Sequence, residues 1–198
     1  MTDQELWRQV LDAIAADDDE QTEALVLQLT AAAEPALLTL LQNGNVNERW
    51  WAARALAHCG TAQALPPLLA TFAAAEPNLR VVAIMSAGRL AAHQPTDGAP
   101  AIARLADCLA DEDGTVRQAA ADALVQCGDT AIAALVAILR FSPHQGARSR
   151  AAYALRKIGT PATVPALFRC LNDPNYLVHT YAYEALDEMG LLETQLYR

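Results

Sequence analysis

Long apolar runs are missing from this sequence, and no uninterrupted stretch approaches the roughly 20 residues needed to span a hydrocarbon core. Aromatic residues make up only 6% of a chain that is 53% hydrophobic. The apolar content therefore lies in alanine and aliphatic side chains, as in close-packed helices rather than a membrane protein. Four cysteines occur without any C-x-x-C pair, which favours buried, reduced thiols over a zinc or dithiol motif. The stretch MTDQELWRQV at the start is polar and acidic, unlike a secretory leader, so a cytoplasmic location is expected. No Ser-His-Asp arrangement, glycine-rich phosphate loop or Walker pattern is present, and no catalytic residue, metal or cofactor is assigned. No acid falls between Asp129 and Asp173, although Arg140, Arg148, Arg150, Arg156, Lys157 and Arg169 all do. The converse holds at the start, where residues 1–34 hold nine acids and one base, against 14 acids and 13 bases in the remainder. Phosphate binding needs a net basic surface, so this balance argues against nucleic acid as a partner.

What the sequence does contain is a repeat. The stretch RQAAADALVQCG, from Arg117 to Gly128, sets its pattern: offsets 3, 6, 7 and 10 from the leading residue carry Ala120, Ala123, Leu124 and Cys127, with Gly128 at offset 11. The same offsets counted from Arg49, Arg80, Arg148 and His179 again give small or aliphatic residues, and glycine recurs as Gly60, Gly159 and Gly190. From Arg80 the glycine position holds Ala91. Successive starts lie 31, 37, 31 and 31 residues apart, a period that signals a solenoid. At 100° per residue the four offsets fall within about a third of the helix circumference. Alanines there let helices approach closely, and glycine at offset 11 suits a left-handed residue ending the helix. Such a helix cannot bury its stripe alone; it needs a partner helix and copies of itself.

The predicted fold is therefore all-α, an α-solenoid of stacked antiparallel helix pairs, about twelve helices in six pairs. Residues 1–33 form an acidic N-terminal capping pair, with helices over 3–16 and about 20–33, the second carrying Ala24, Leu27 and Leu29. Asp17 to Asp19 supply the break and an N-cap. Residues 34–198 form five repeats (34–60, 61–98, 99–128, 129–159 and 160–190) with a short C-terminal cap from LLETQLYR. Each repeat opens with a shorter helix, over 35–41, 62–74, 99–109, 131–139 and 161–171, with prolines early where missing amide donors cost least. The stretch AHQPTDG reads as a loop insertion accounting for the one long spacing.

The stretches DEDGTVRQAAADALVQCG (111–128), GARSRAAYALRKIGTPATVPAL (146–167) and NERWWAARALAHCG (47–60) share the pattern D-x-x-x-x-V-R-x-x-A-x-x-A-L-x-x-x-G. Units of this kind resemble HEAT-type repeats, and in particular the short HEAT-like repeats of the phycobilin lyase family. The resemblance spans roughly residues 34–190 and implies that second helices line a concave face. It also implies a tetrapyrrole (bilin) lyase or chaperone-type subunit acting with a second HEAT-like subunit. HEAT-type hydroxylases are marked by repeated His-Glu dipeptides at the starts of second helices. Here His58, His93, His144 and His179 are followed by Cys, Gln, Gln and Thr, which removes that metal-enzyme reading. HEAT-like DNA glycosylases are set aside by the charge balance.

Two sets of residues stand outside the core stripe. The column Arg49, Arg80, Arg117 and Arg148 is expected to pair with acids of nearby turns, such as Asp111, Asp113 and Asp173, holding one repeat to the next. Offsets 1, 5 and 8 point away from the core and read Trp50, Val81, Gln118, Ser149, Thr180; Arg54, Met85, Asp122, Tyr153, Glu184; and Ala57, Gly88, Val125, Arg156, Asp187. Trp, Met, Tyr and Arg are enriched in binding hot spots. The predicted partner-binding residues are Trp50, Trp51, Arg54, Met85, Arg150, Tyr153, Arg156 and Lys157. A structural alternative is that Trp50 and Trp51 fold back against the neighbouring cap. The expected function is a non-catalytic scaffold or adaptor binding a protein or peptide partner on its concave helix face. The lyase-type reading, with a tetrapyrrole-carrying partner, is the alternative.

Overall fold

The computed structural model describes residues 2–93 and 98–192, and among these it is helical throughout, with no strand. The chain divides into two compact units, 1–98 and 99–198. Unit 1 contains α1 (Asp3–Ala15), α2 (Asp19–Val26), α3 (Glu34–Asn43), α4 (Val46–Cys59), α5 (Leu65–Thr71) and α6 (Pro77–His93). Within it α1 pairs with α2, α3 with α4 and α5 with α6, and α4 packs beside α6. Unit 2 contains α7 (Ala99–Asp107), α8 (Gly114–Gln126), α9 (Ile132–Phe141), α10 (Gln145–Ile158), α11 (Val164–Cys170) and α12 (Tyr176–Glu188). There α7 pairs with α8, α9 with α10 and α11 with α12, while α10 lies between α8 and α12. The architecture is the α-solenoid class expected from the period. No single described helix is long and apolar enough to cross a membrane.

The stripe packs as its spacing requires. Ala52, Ala55 and Leu56, Ala120, Ala123 and Leu124, Ala151, Ala154 and Leu155, and Ala182, Ala185 and Leu186 are all buried. Alanine brings the helices close, and one leucine per layer fills what remains. Gly128, Gly159 and Gly190 adopt left-handed φ of 58°, 60° and 68°, the cap conformation that disfavours a Cβ. Gly60 differs: its φ is −74°, and glycine is needed because a Cβ would lie 2.5 Å from the Leu56 carbonyl oxygen. Where Ala91 replaces glycine, α6 simply continues to His93, making it the longest helix at 17 residues.

The capping pair is shorter than expected. α2 ends at Val26, and a single 3₁₀ turn covers Ala31–Ala33. Thr22, Leu25, Val26 and Leu29 are buried, whereas Ala24 and Leu27 are exposed, so the apolar face of α2 is rotated from the one assigned. The break at Asp17–Asp19 is as expected: Asp17 is left-handed with φ 52°, and Asp18 caps α2 by accepting from the Gln21 amide at 2.9 Å. Short 3₁₀ turns over 62–64 and 161–163 precede α5 and α11, and prolines stand in the first turn of each. The AHQPTDG insertion falls largely on residues 94–97, and most of the C-terminal cap on 193–198, both outside the described residues.

The arginine column makes the expected pairing along the stack at Arg148, and it also bonds backbone carbonyls within its own repeats. Arg49 Nε donates to the Leu41 carbonyl at 3.1 Å, Arg80 to Ala74 and Ala75 at 3.0 and 3.2 Å, and Arg117 to Asp111 and Glu112 at 2.7 and 2.9 Å. Each guanidinium satisfies carbonyls at the end of the preceding first helix or in the turn that follows it, which would otherwise lack donors. His179, at the same offset, contacts the Leu171 carbonyl through Nδ1 at 2.5 Å. Arg148 does reach the next repeat, forming an ion pair with Asp173. Other ties between repeats come from shorter side chains. The buried Glu34 carboxylate accepts from the Thr61 amide and hydroxyl at 2.8 to 3.0 Å, and Asp129 accepts from Thr160 Oγ1 at 2.6 Å.

None of the four cysteines is in a disulfide, with Cys59, Cys127 and Cys170 buried and Cys108 half-buried. Burial pushes the Cys127 and Cys170 thiols up to about 11, and burial together with nearby Glu34 raises Cys59. These thiols serve as small core hydrophobes.

Candidate partner-binding face

In unit 1 the face begins with the start of α4. Asn45 and Glu48 form a capping box, with Glu48 N donating to Asn45 Oδ1 at 3.0 Å and Asn45 N to Glu48 Oε2 at 2.7 Å. That box sets the helix start and hence the direction of the two tryptophans that follow. Trp51 is 5% exposed and belongs to the core, so it adds little surface of its own to the groove. Trp50 remains half-buried and stands edge-on against it, with ring centroids 4.9 Å apart and an interplanar angle of 81°. This edge-to-face contact holds the Trp50 ring while leaving part of it open.

Trp50 lines an open groove of about 730 Å³ shared with Asp19, Val46, Asn47, Trp51, Asn78 and Val81. Asp19, Trp50 and Val81 are spaced by 31 residues, as are Asn47 and Asn78. Five of the seven lining residues thus come from two columns, one crossing α2, α4 and α6 and the other α4 and α6. Asn47 Nδ2 donates to Asp17 Oδ1 at 3.1 Å, whereas Asp19 forms no ion pair among the described residues. One turn along α4, Arg54 is ion-paired with Glu23 of α2. One turn along α6, Met85 is half-buried.

In unit 2 the corresponding face closes on itself. Gln118 Nε2 donates to Asp122 Oδ1 at 2.9 Å, and the Tyr153 hydroxyl donates to the same oxygen at 3.3 Å. Burial, then the Asp122 charge and hydrogen bond, raise the Tyr153 phenol above its ordinary value. The Tyr153 ring meets Tyr181 at 5.8 Å and 68°, and Lys157 Nζ lies 5.9 Å from its centroid. Arg156 is ion-paired with both Glu184 and Glu188. Asn175 Nδ2 donates to Ser149 Oγ at 3.1 Å. Arg150 and Lys157 form no ion pair among the described residues.

The eight sequence-predicted residues therefore fall into separate groups. Trp50, Arg54 and Met85 share the α4–α6 face of unit 1, with Trp51 beneath it in the core. Arg150, Tyr153, Arg156 and Lys157 share α10 in unit 2, where Arg156 is neutralised by its neighbours. Asp19, Asn47 and Asn78 were missed. Asp19 stands 31 residues before Trp50, and Glu23 stands 31 before Arg54, so the capping pair keeps the register of the array without its alanine signature. Extending the offsets one period upstream finds both. Among the described residues no group of three or more His, Cys, Asp or Glu side chains is placed to hold a metal ion.

The family model for HEAT repeats matches residues 34–125, 69–156 and 132–196. Among solved structures, the complex of CpcE and CpcF of phycocyanin lyase from Nostoc sp. PCC7120 is similar at 22% identity and a TM-score of 0.59, covering 74% of this chain and 98% of that one. The YibA protein of Escherichia coli is similar at 19% identity and a TM-score of 0.63, covering 96% of this chain and 72% of that one. A designed armadillo repeat protein in complex with the peptide (KR)4 is similar at 18% identity and a TM-score of 0.51, covering 90% and 97%. At these identities the likeness is one of fold. No curated protein matches the chain in sequence.

Proposed function

Because the chain belongs to the family of HEAT repeats, we propose that it is a non-catalytic scaffold binding a protein or peptide partner on the face of its second helices. The carrying observation is Trp50, held edge-on over a buried Trp51 and open to a groove of about 730 Å³. A large indole kept part-exposed on a rigid base is the kind of residue that dominates binding energy when a partner covers it. Val81 and Val46 extend the apolar surface, and Met85 adds an adaptable neighbour. Arg54, paired with Glu23, sets the edge of this face. A designed armadillo relative holds a peptide, and a lyase relative assembles from CpcE and CpcF. Both support association with another chain as the use of this fold.

The test is capture of partners from source lysate by the parent chain and by a Trp50→Ala, Met85→Ala variant of unchanged melting temperature. A partner retained by the parent and lost by the variant supports the reading. A partner held equally by both overturns it. Arg156→Glu is a poor companion mutation, since it would set three carboxylates against one another at Glu184 and Glu188.

Arg150 and Lys157, cations free of ion pairs beside Tyr153, favour a second reading in which α10 meets a tetrapyrrole through its propionates. Bilin added to the purified protein would then shift its visible absorbance, and Lys157→Ala would diminish the shift. An unchanged spectrum rejects this reading.

A further inference from the structure

We propose that the unit 1 groove takes a cationic segment of the partner, with an arginine or lysine side chain lying across the Trp50 ring and paired with Asp19. This inference rests on the groove being the partner site and assigns the chemistry of what enters it.

Charge decides the class of occupant. Residues 1–98 hold twelve acids against five bases, a field that repels acidic segments and raises the local concentration of basic ones. The bases nearest the groove are committed elsewhere. Arg49 is bonded to the Leu41 carbonyl, and Arg54 is paired with Glu23. Asp18 and Glu48 are engaged at helix starts, and Asp17 accepts from Asn47. Asp19 is exposed, lines the groove and has no ion partner among the described residues. It belongs to the same column as Trp50, one repeat away.

An aromatic face beside an unpaired carboxylate suits a cation with an apolar stem. The ring attracts the charge through its quadrupole, the methylenes cover Val46 or Val81, and the head reaches Asp19. An apolar anchor alone would leave Asp19 facing low-dielectric surface without a counter-charge, and an acidic segment would set like charges together. The Asn47 and Asn78 carboxamides, one repeat apart along the groove, offer donors and acceptors to an extended backbone.

The experiment measures fluorescence anisotropy of three labelled peptides of equal length with the full chain: alternating Arg and Leu, alternating Glu and Leu, and alternating Arg and Gly. The Arg/Leu peptide should bind most tightly and weaken with salt. Asp19→Asn should weaken it about five- to tenfold, and Asp19→Arg should turn the preference toward the Glu/Leu peptide. Asp12→Asn, an exposed acid on α1 outside the groove, should change little. Equal loss at Asp12 and Asp19, or equal binding of the Arg/Leu and Glu/Leu peptides, overturns the cationic assignment and leaves the groove reading intact. Binding of every peptide unchanged by Trp50→Ala, or no binding of any, overturns the groove reading as well. Circular dichroism on each variant separates loss of binding from loss of fold.

Discussion

In unit 1 the outward column at offset 1 reads Asp19, Trp50 and Val81 and leaves a groove; in unit 2 the same column reads Gln118, Ser149 and Thr180. The difference follows from what each residue type can satisfy locally. Gln118 reaches Asp122, and Ser149 bonds both the Gln145 carbonyl and Asn175. Small polar side chains one repeat apart can close on one another, and the unit 2 face becomes a hydrogen-bonded ladder of Asp122 to Tyr153 and Arg156 to Glu184 and Glu188. The Trp50 indole makes no hydrogen bond to Asp19 among the described residues, and Val81 offers it none. One geometry thus yields a face closed by side-chain bonds in unit 2 and a face that keeps an open groove in unit 1.

The sharpest break in this comparison is at Trp50 and Met85. Trp50→Ala with Met85→Ala should cost about 2–4 kcal/mol of partner affinity, measured by titration calorimetry once the partner is in hand. The counterpart change on unit 2, Tyr153→Phe, removes the bond to Asp122 and should leave affinity within a factor of about two. If Tyr153→Phe costs as much as the unit 1 pair, the two faces do not divide the work.

The thiols set the next test. The Cys127 and Cys170 thiols, pushed up to about 11 by burial, stay protonated in the folded chain where thiols of the unfolded chain, near 9.0, ionise. The folded state therefore holds more protons in that window. Their contribution is fully present below pH 9.0 and is lost as pH rises toward 11, by up to about 2 kcal/mol per thiol. Urea unfolding at pH 8 and pH 10.5 should show the fall, and Cys127→Ala with Cys170→Ala should flatten it. Thiol labelling of the native protein should be slow at these two and faster at half-buried Cys108. A stability independent of alkaline pH would mean that the pair is more open than its packing indicates.

Arginines of the repeat should follow what each is bonded to. Arg148→Ala strands Asp173, a carboxylate with 15% side-chain exposure, and should cost about 1–3 kcal/mol. Arg117→Ala loses two carbonyl bonds and should cost about 1–2 kcal/mol. Arg49→Ala in unit 1 loses one and should cost about 0.5–1.5 kcal/mol. Thermal unfolding gives the order, and partner affinity should be unmoved in all three.

Much of this was legible from spacing alone. Alanine at offsets 3 and 6 and glycine at offset 11 state the helix pair and its cap, because few other residues permit that approach or that φ. The arginine column was legible as structural, and Asp173 as an acid it pairs with, but not its backbone partners, since carbonyl acceptors leave no trace in side-chain identity. Trp50 and Trp51 are adjacent letters, and only the packing of α4 sends one into the core and the other to the groove. Asp19 and Glu23 were hidden by the missing alanine signature of the capping pair, although their register was intact. The partners of Arg156 lay 28 and 32 residues on and were visible once the period was applied to charges as well as to apolar residues.

The smallest expected effect lies in the ladder itself, at Arg156 and Glu188. The Arg156 guanidinium, through its hydrogen bond and then its charge, holds the Glu188 carboxyl below its ordinary value of 4.5. A carboxyl depressed on folding stabilises the folded state above the unfolded value, and that stabilisation is lost as pH falls through the lower folded value. The window therefore opens below pH 4.5 and lies on its acid side. Glu188 is exposed and its pair is screened by solvent, so the effect should be slight and should shrink further in high salt. Glu188→Gln should remove the part of the acid dependence that Arg156→Gln also removes, and the double variant should add nothing. Melting curves at pH 3, 4 and 7 in low and high salt provide the measurement. Were the two single variants to add fully, Arg156 would be held by Glu184 alone, and the ladder would end at α10 and the middle of α12 rather than reaching its last turn.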